Sequence, residues 1–392
     1  MIVHQQNVAD LSNNGLLGET MKGSKSKSAS VKPTKSFVNQ REYSLHTIKN
    51  SKTSHGKTWN THVDHWQRAN LVSAPYKLMV YSAYLDKRNP QAPSVVVIGA
   101  ALTRGGPKVY CKLQFSHKKP ILVVAYKRII NEHWNLKYSA CFFYCALNKD
   151  DSKPLNVSVA DNSQFKAAAI LTVYDNKEDN NTLPHGRIAL CVKPLHYSYD
   201  RATWFIEFLE LHRLLGVEHF FLYNHSMGHA VEQAVMVYLQ QGVVSLLPWK
   251  LEIQSQKEIR TEGLFAALND CLYRSMFLFK YVLMLDFDEF IIPTGNVTYD
   301  KLLTDLTKIR RGTYQPSSFV FQNAFFYLYW DNDTTAYNEE PETPPGNIPY
   351  LLTQYKTRRV KNPMKHGSRS KFVVVPERAL EVGNHVVWRV VP

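Results

Sequence analysis

YVLMLDFDE, residues 281–289, is a run of five apolar residues followed by three acids within four positions. An uninterrupted apolar run of this kind is typical of a central strand that is covered on both faces. Side chains alternate along an extended chain, so Asp286 and Asp288 should point in the same direction at the end of this strand. A polar surface loop can carry the same acids, and the surrounding pattern therefore has to distinguish the two interpretations.

Strand-like and helix-like patterns alternate along residues 188–285. The strand-like runs IALCVKPLHYSY, VEHFFLYN and VVSLLPW are each followed by an apolar stripe at helical spacing. The stripes are Trp204, Phe208, Leu211 and Leu215; Val231, Val235, Tyr238 and Leu239; and Leu264, Leu268, Cys271 and Leu272. Asp200 is expected to cap the first helix and Gly216 to end it. This order predicts an α/β fold with a mostly parallel sheet flanked by helices, whose ligands bind beyond the carboxyl ends of the strands.

Composition and pattern divide the chain into three predicted regions. Residues 1–69 are rich in Ser, Lys and Asn and lack apolar periodicity, which predicts a disordered, basic tail or stalk. Residues 70–187 hold β-branched and aromatic runs separated by turn residues, which predicts a β-rich region. The predicted nucleotide-binding domain then spans residues 188–392.

The chain carries a net charge of +14, from 47 Lys and Arg against 33 Asp and Glu. Such an excess suits nucleic acid, an anionic membrane surface or an anionic substrate. No zinc-finger spacing and no aromatic–basic RNA motif accompanies the charge, so the sequence argues against a nucleic-acid partner. Seven basic residues and no acid lie within 356–371, where an anionic ligand could use them.

The five cysteines contain no C-x-x-C pair, and they leave open both two disulfides with one thiol and five reduced thiols. Five Asn-X-Ser/Thr sequons favour the secretory pathway. The sequence has no apolar run of 18 residues and no apolar N-terminal segment. We therefore expect neither a signal peptide nor a membrane anchor within it.

Paired carboxylates at the end of a buried strand suit a hard divalent cation such as Mn²⁺ or Mg²⁺. A metal there would bridge a diphosphate and neutralise charge on a departing nucleotide. Haloacid-dehalogenase-like phosphatases also place a D-x-D triplet after an apolar strand. Their fifth motif position is Thr or Val, whereas this chain has Phe290, and their triplet lies earlier in the fold.

Four segments in order resemble glycosyltransferase family 92: DRATWFIEFLELHRLLGVEHFFLYN, ALNDCLYR, YVLMLDFDEFIIP and KFVVVPERALEVGNHVVW. With YSAYLDKR and VVVIGAAL upstream, the resemblance covers about residues 76–392. It implies a GT-A-like fold and an inverting, metal-dependent galactosyltransferase that often uses Mn²⁺. The implied substrates are UDP-galactose as the sugar donor and a glycan acceptor, such as a fucosylated N-glycan. The implied setting is the Golgi membrane, with the catalytic domain in the lumen.

The resemblance also implies roles for individual residues. Asp286 and Asp288 match the metal-binding carboxylates, and His385 is the candidate for a third metal ligand. The candidate substrate-binding residues are Asp270, Arg369 and Lys371. The candidates for the catalytic base or an orienting acid are Glu289, Asp331 and Asp333, and Glu339 and Glu340 are equally open.

Two departures from the family pattern bear on activity. The membrane anchor expected at the N-terminus is not found, although the family implies membrane association. The sequence also stops at Pro392, soon after HVVW, where family members continue and carry another histidine. A truncated C-terminus is therefore expected. The alternative to an active enzyme is a catalytically silent homologue that binds a glycan or nucleotide.

Overall fold

A computed structural model describes residues 2–4, 62–177, 186–295, 297–309, 315–333 and 351–391. Most of the predicted tail at 1–69 lies outside the described residues. Across the ranges that are described, no helix combines the length and the apolar character needed to cross a bilayer.

The predicted β-rich region is confirmed, and it forms a nine-stranded sheet. Its strands are β2 (Gln67–Arg68), β3 (Met79–Asp86), β4 (Ser94–Leu102), β5 (Tyr110–Gln114), β6 (Ile121–Val124), β7 (Tyr126–Ile129), β8 (Tyr138–Ala146), β9 (Asn156–Ala160) and β10 (Ala169–Tyr174). The order is β6-β5-β9-β10-β3-β4-β8-β7, with β2 on β3. Only the β10–β3 pairing within this sheet is parallel.

The α/β class is also confirmed, because a second, six-stranded sheet follows with helices between its first four strands. Its strands are β11 (Gly186–Val192), β12 (His219–Asn224), β13 (Val244–Pro248), β14 (Phe279–Leu285), β16 (Ser318–Phe321) and β18 (Lys371–Val374). The order is β13-β12-β11-β14-β18-β16. The first four strands pair in parallel, and β18 runs antiparallel to both of its neighbours.

Two small sheets and five helices complete the described structure. The helices are α1 (Ala202–Leu214), α2 (His229–Gln240), α3 (Leu264–Ser275), α4 (Tyr299–Ile309) and α5 (Leu352–Tyr355). Short 3₁₀ turns lie at Thr261–Gly263 and Pro376–Arg378. The small sheets are β1 (Ile2–His4) between β15 (Glu289–Ile291) and β17 (Asn323–Phe325), and the hairpin of β19 (Ala379–Val382) and β20 (Val387–Val390).

Helix α3 lies between the two large sheets, and every one of its residues is buried. One apolar cluster surrounds it and draws members from both sheets, including Tyr81 and Phe142 from the first and Phe221 and Met284 from the second. Since interior side chains pack at the density of a crystal, the two sheets share a single core through this helix.

A charged network is buried beside the same helix. The Arg274 guanidinium donates to Asp64 at 2.7 Å and to Asp270 at 3.0 Å, and both carboxylates are buried. Asp270 also accepts hydrogen bonds from the hydroxyls of Tyr84 and Tyr223, at 2.7 Å each. A buried charge is tolerated only when it is paired and hydrogen-bonded. The network therefore fixes α3 against both sheets and the segment before β2.

The predicted apolar stripe of α1 is confirmed at Phe208, with Leu211 and Leu215 partly buried against the core, but its start is shifted by one position. The buried apolar side chains are Phe205, Phe208 and Leu209, whereas Trp204 is half-buried, under the Arg201 guanidinium. Gly216 follows this helix in the left-handed conformation, with φ at +105°, as expected of a residue that ends a helix.

The predicted cap at Asp200 is wrong, because this carboxylate serves the next helix. Asp200 accepts a hydrogen bond from the backbone N–H of Val231, in the first turn of α2, at 3.0 Å. A Cβ on Gly228, which precedes α2, would lie 2.2 Å from the Asp200 carboxyl carbon. Because Gly228 has no side chain, the Asp200 carboxylate has room to cap α2 from a distant part of the chain.

Two disulfides settle the cysteine alternatives. Cys111 pairs with Cys145 across the first sheet, and Cys191 on β11 pairs with Cys271 on α3. Cys141 is a buried free thiol, and burial raises its pKa to about 12. Because the thiolate is the reactive form, Cys141 is an inert core residue at neutral pH.

Gly99 lies where β4 packs most tightly against its neighbours. A Cβ there would lie 2.6 Å from the carbonyl oxygen of Met79 and 2.9 Å from the Phe143 ring. We expect Gly99→Ala to cost about 1–3 kcal/mol of stability through overpacking. Thermal unfolding checks this prediction, and an unchanged midpoint would contradict it.

Candidate functional site

The predicted acids follow β14 directly, at the carboxyl end of the six-stranded sheet. Asp286 is 8% exposed, Asp288 is half-buried and Glu289 is fully buried. The backbone N–H of Asp286 donates to the Glu289 carboxylate at 3.0 Å, and the N–H of Glu289 donates to the Asp286 carbonyl. These two hydrogen bonds close a tight turn over residues 286–289, which keeps the three acids close together.

Lys371 supplies the positive charge that these acids need. Strand β18 runs antiparallel to β14, so its first residue arrives beside the last residues of β14. The Lys371 ammonium lies 2.9 Å from a Glu289 oxygen and 3.3 Å from an Asp286 oxygen. Burial acts to lower the pKa of Lys371, but Asp286 and Glu289 outweigh it and raise the pKa. Lys371 is therefore a permanent, buried cation of the site.

The loop after β11 brings two further side chains to the acids. The Lys193 ammonium lies 3.6 Å from the same Asp286 oxygen and is one-third exposed. At the other end of the loop, the Tyr199 ring stacks on Phe287, with 5.3 Å between ring centroids. Burial and, to a lesser extent, the Asp288 charge raise the pKa of Tyr199. The loop at residues 193–199 therefore runs past the acids, contacting Asp286 at one end and Phe287, which lies between the two aspartates, at the other.

His385 lies at the turn between β19 and β20. It is linked to this cluster through the neighbouring side chain of Asn384. Its Nδ1 is 3.1 Å from the Ser370 carbonyl oxygen and its Nε2 is 3.1 Å from the Asn384 amide. Asn384 in turn accepts a hydrogen bond from Lys371 at 2.9 Å. Burial and the nearby Lys371 charge lower the pKa of His385 to about 4. The ring is therefore neutral at physiological pH.

The donor atoms suit a hard divalent cation, but the described residues supply only part of a coordination shell. Among them, no group of three or more His, Cys, Asp or Glu side chains is arranged to hold a metal. Asp286 and Asp288 alone provide carboxylate oxygens of the right chemistry. Mg²⁺-type ions are commonly held by one or two carboxylates together with substrate phosphates, so these two residues fit such a metal.

The other predicted site residues lie in different surroundings. Glu289 is enclosed by Lys371 and the Asp286 backbone, which suits the orienting role and not that of a base. Asp270 belongs to the buried Arg274 network and has no exposed surface for a substrate. Arg369 is half-buried, with its guanidinium 5.7 Å from the Phe325 ring centroid.

Two of the remaining candidate bases contact the segment that follows α5. Asp331 has a 92% exposed side chain and lies 3.6 Å from Arg358. Asp333 accepts a hydrogen bond from the Thr357 hydroxyl. Glu339 and Glu340 lie outside the described residues.

Two members of the cluster were missed by the sequence reasoning. Lys193 follows β11 directly, and the rule that ligands bind at the carboxyl ends of parallel strands could have identified it. Asn384 precedes His385 in a hairpin turn, and no sequence signal marks its bond to Lys371.

Residues 186–392 match the model of glycosyltransferase family 92. The match spans just over half of the chain, and the chain belongs to this family. The phosphatase alternative therefore loses its support. A β-1,4-galactosyltransferase, galt-1 of Caenorhabditis elegans, is 21% identical over 229 residues, which are 58% of this chain and 54% of that protein. The chain thus spans about half the length of the curated relative that it matches.

Proposed function

We propose that this chain is a metal-dependent, inverting glycosyltransferase with a GT-A-like fold that transfers galactose from UDP-galactose to a glycan. A fucosylated N-glycan is the proposed acceptor. The main support is the position of Asp286 and Asp288 at the carboxyl end of β14 in a member of a glycosyltransferase family. The donor sugar is suggested by the galactosyltransferase that the chain resembles.

The residues of the site have different proposed roles. Asp286 and Asp288 would hold Mn²⁺ or Mg²⁺, which when bound neutralises charge on the departing diphosphate. Lys371 holds the Asp286 carboxylate from its buried side, and Glu289 holds the Asp286 backbone by accepting its N–H. Lys193 is one-third exposed beside Asp286, so its ammonium could also contact a phosphate oxygen of the donor.

A lumenal location in the Golgi, with membrane association, belongs to the same proposal. Two disulfides among the five cysteines suit an oxidising compartment of the secretory pathway. The sequons point in the same direction.

A silent homologue that binds a sugar nucleotide is the second candidate. It is favoured by the lack, within the described residues, of a third metal ligand beside the two carboxylates. Turnover, as opposed to binding, separates the two candidates.

We expect UDP release from UDP-galactose in the presence of Mn²⁺ and a fucosylated N-glycan, and its loss in EDTA. Asp288→Ala should lower the turnover by about 100–1000-fold, since metal charge stabilisation contributes several kcal/mol to the barrier. Asp305→Ala is the matched control, because Asp305 is an exposed acid on α4 that pairs with Lys301. Binding of UDP-galactose by calorimetry without turnover would favour the silent homologue.

A further inference from the structure

A second polar pair lies at the carboxyl edge of the six-stranded sheet, formed by His196 and Glu262. Glu262 is 3% exposed, and its Oε2 is buried without a hydrogen-bond partner among the described residues. His196 Nε2 is 3.6 Å from this oxygen, and the ring is 21% exposed. The Arg260 charge also interacts with Glu262, but a buried carboxylate oxygen that makes no hydrogen bond is costly, and such a group calls for an explanation.

The backbone holds Glu262 in an unfavourable conformation. Thr261, Glu262 and Gly263 all have positive φ angles, of 37°, 50° and 75°. The indole N–H of Trp249 donates to the Glu262 carbonyl at 2.6 Å, and the Ser255 hydroxyl accepts from the Glu262 N–H at 3.0 Å. Non-glycine residues in this region cost about 1–3 kcal/mol each and cluster at active sites. The carboxylate is thus held in place just before α3, at the edge where β13 ends.

His196 lies in the loop that passes the acids. Lys193 contacts Asp286 on one side of it, and Tyr199 stacks on Phe287 on the other. The partly exposed imidazole therefore lies on the segment bordering the proposed donor site, with the buried carboxylate behind it.

Direct displacement with inversion requires a group that accepts the proton of the attacking hydroxyl. Glu289 is fully buried and paired with Lys371, so an acceptor sugar cannot reach it. Asp331 is an exposed acid that pairs with Arg358, and Asp333 accepts a hydrogen bond from Thr357, so the contacts of both are with the 357–358 segment. His196 combines partial exposure with a carboxylate oxygen 3.6 Å from its Nε2. If that distance closes to a hydrogen bond, Glu262 orients the ring as carboxylates orient histidine bases in other enzymes.

We propose that His196 is the catalytic base for the acceptor hydroxyl and that Glu262 is its positioning residue. This proposal rests on the proposed function. The hydroxyl proton passes to the ring nitrogen that faces away from Glu262. The acceptor oxygen bonds to the anomeric carbon as the bond from that carbon to the diphosphate oxygen breaks, and the electron pair leaves with UDP. Glu262 then stabilises the imidazolium.

The groups around His196 affect the pKa of its imidazole ring. Burial lowers its pKa and the charges of Lys193 and His225 add to the lowering, whereas Glu262 and a hydrogen bond with the residue's own backbone oppose it. The ring is therefore neutral and able to accept a proton at physiological pH.

The test measures transfer and binding separately. We expect His196→Ala to lower kcat for transfer by about 100–10,000-fold, while the calorimetric Kd for UDP-galactose stays within about twofold. Added imidazole should restore part of the kcat, which a purely structural defect would not allow. Glu262→Gln should lower kcat by about 10–100-fold with the same unchanged Kd. His229→Ala is the matched control, because His229 is 79% exposed at the start of α2.

Three results would overturn the proposal. If His196→Ala turns over at the wild-type rate, His196 is not the base, and the proposed function stays intact. If His196→Ala loses affinity for UDP-galactose and imidazole does not restore kcat, His196 has a structural role and not a catalytic one. A wild-type chain that binds UDP-galactose but transfers to no acceptor would overturn the base and the proposed function together.

Discussion

Arg274→Met lowers the free energy of unfolding by about 3–5 kcal/mol, because it leaves two buried carboxylates without their shared cation. Asp64 and Asp270 lie 2.7 and 3.0 Å from the guanidinium and are almost fully enclosed. Burial already raises the pKa of Asp64 against the lowering effect of Arg274. Methionine fills most of the volume, so the loss reports the charge and its hydrogen bonds. Urea denaturation measures the change.

Arg213→Met is the control for this experiment. Arg213 pairs with Glu210 at 2.8 Å on the exposed face of α1, where a salt bridge contributes at most about 1 kcal/mol. Asp270→Asn in the Arg274→Met background should recover part of the stability, because it removes one uncompensated charge. Equal losses in Arg274→Met and Arg213→Met would show that the buried network does not hold α3 between the sheets.

Lys371→Met should lower the free energy of unfolding by a similar amount, about 3–5 kcal/mol, in the absence of divalent metal. Asp286 and Glu289 would lose the ammonium that lies 3.3 and 2.9 Å from them. Lys301→Met is the control, because Lys301 forms an exposed pair with Asp305 on α4. Thermal unfolding in EDTA measures both variants.

Adding Mn²⁺ then tests the proposed metal site without reference to turnover. A ligand at 100 times its dissociation constant stabilises a folded protein by about 2.7 kcal/mol. The stabilisation should be larger in Lys371→Met than in the wild type, because the buried ammonium no longer opposes a second cation beside Asp286. An equal Mn²⁺ effect in both proteins would place the metal away from these acids.

The acids after β14 were predictable because two local rules agree on them. The apolar run 281–285 marks a covered strand, and the alternation of strands and helices before it marks a parallel sheet whose carboxyl edge holds the ligands. Both rules use only neighbouring residues. The β-rich region was predictable in the same way, from β-branched and aromatic runs separated by turn residues.

The surroundings of α3 were not predictable, because periodicity describes one face of a helix at a time. Leu264, Leu268 and Cys271 predict a single buried stripe, whereas Asp270 and Arg274 are buried as well. Their partner Asp64 lies about 200 residues earlier in the chain. A polar side chain on a helix is ordinarily solvated, and only a distant partner converts it into a core residue.

Long-range contacts also decide the roles of two other acids. Asp200 precedes α1 but caps α2. Glu207 is a charged residue of α1, yet it is buried and accepts hydrogen bonds from the backbone N–H groups of Leu352 and Thr353. Aspartate is a residue type that suggests a helix cap, and only the fold identifies which helix Asp200 caps. For Glu207 the residue type suggests no cap, and only the fold reveals one.

The shared core around α3 constrains how the protein is made. A ribosome completes β10 at residue 174 and α3 about 100 residues later. At about 5–20 residues per second, the first sheet waits on the order of 5–20 s with its inner apolar face uncovered. The disulfide between Cys191 and Cys271 can close only after that interval. The nascent chain should therefore need chaperone protection during this window, and the segment 186–392 should not be obtainable in soluble form without the sheet that precedes it.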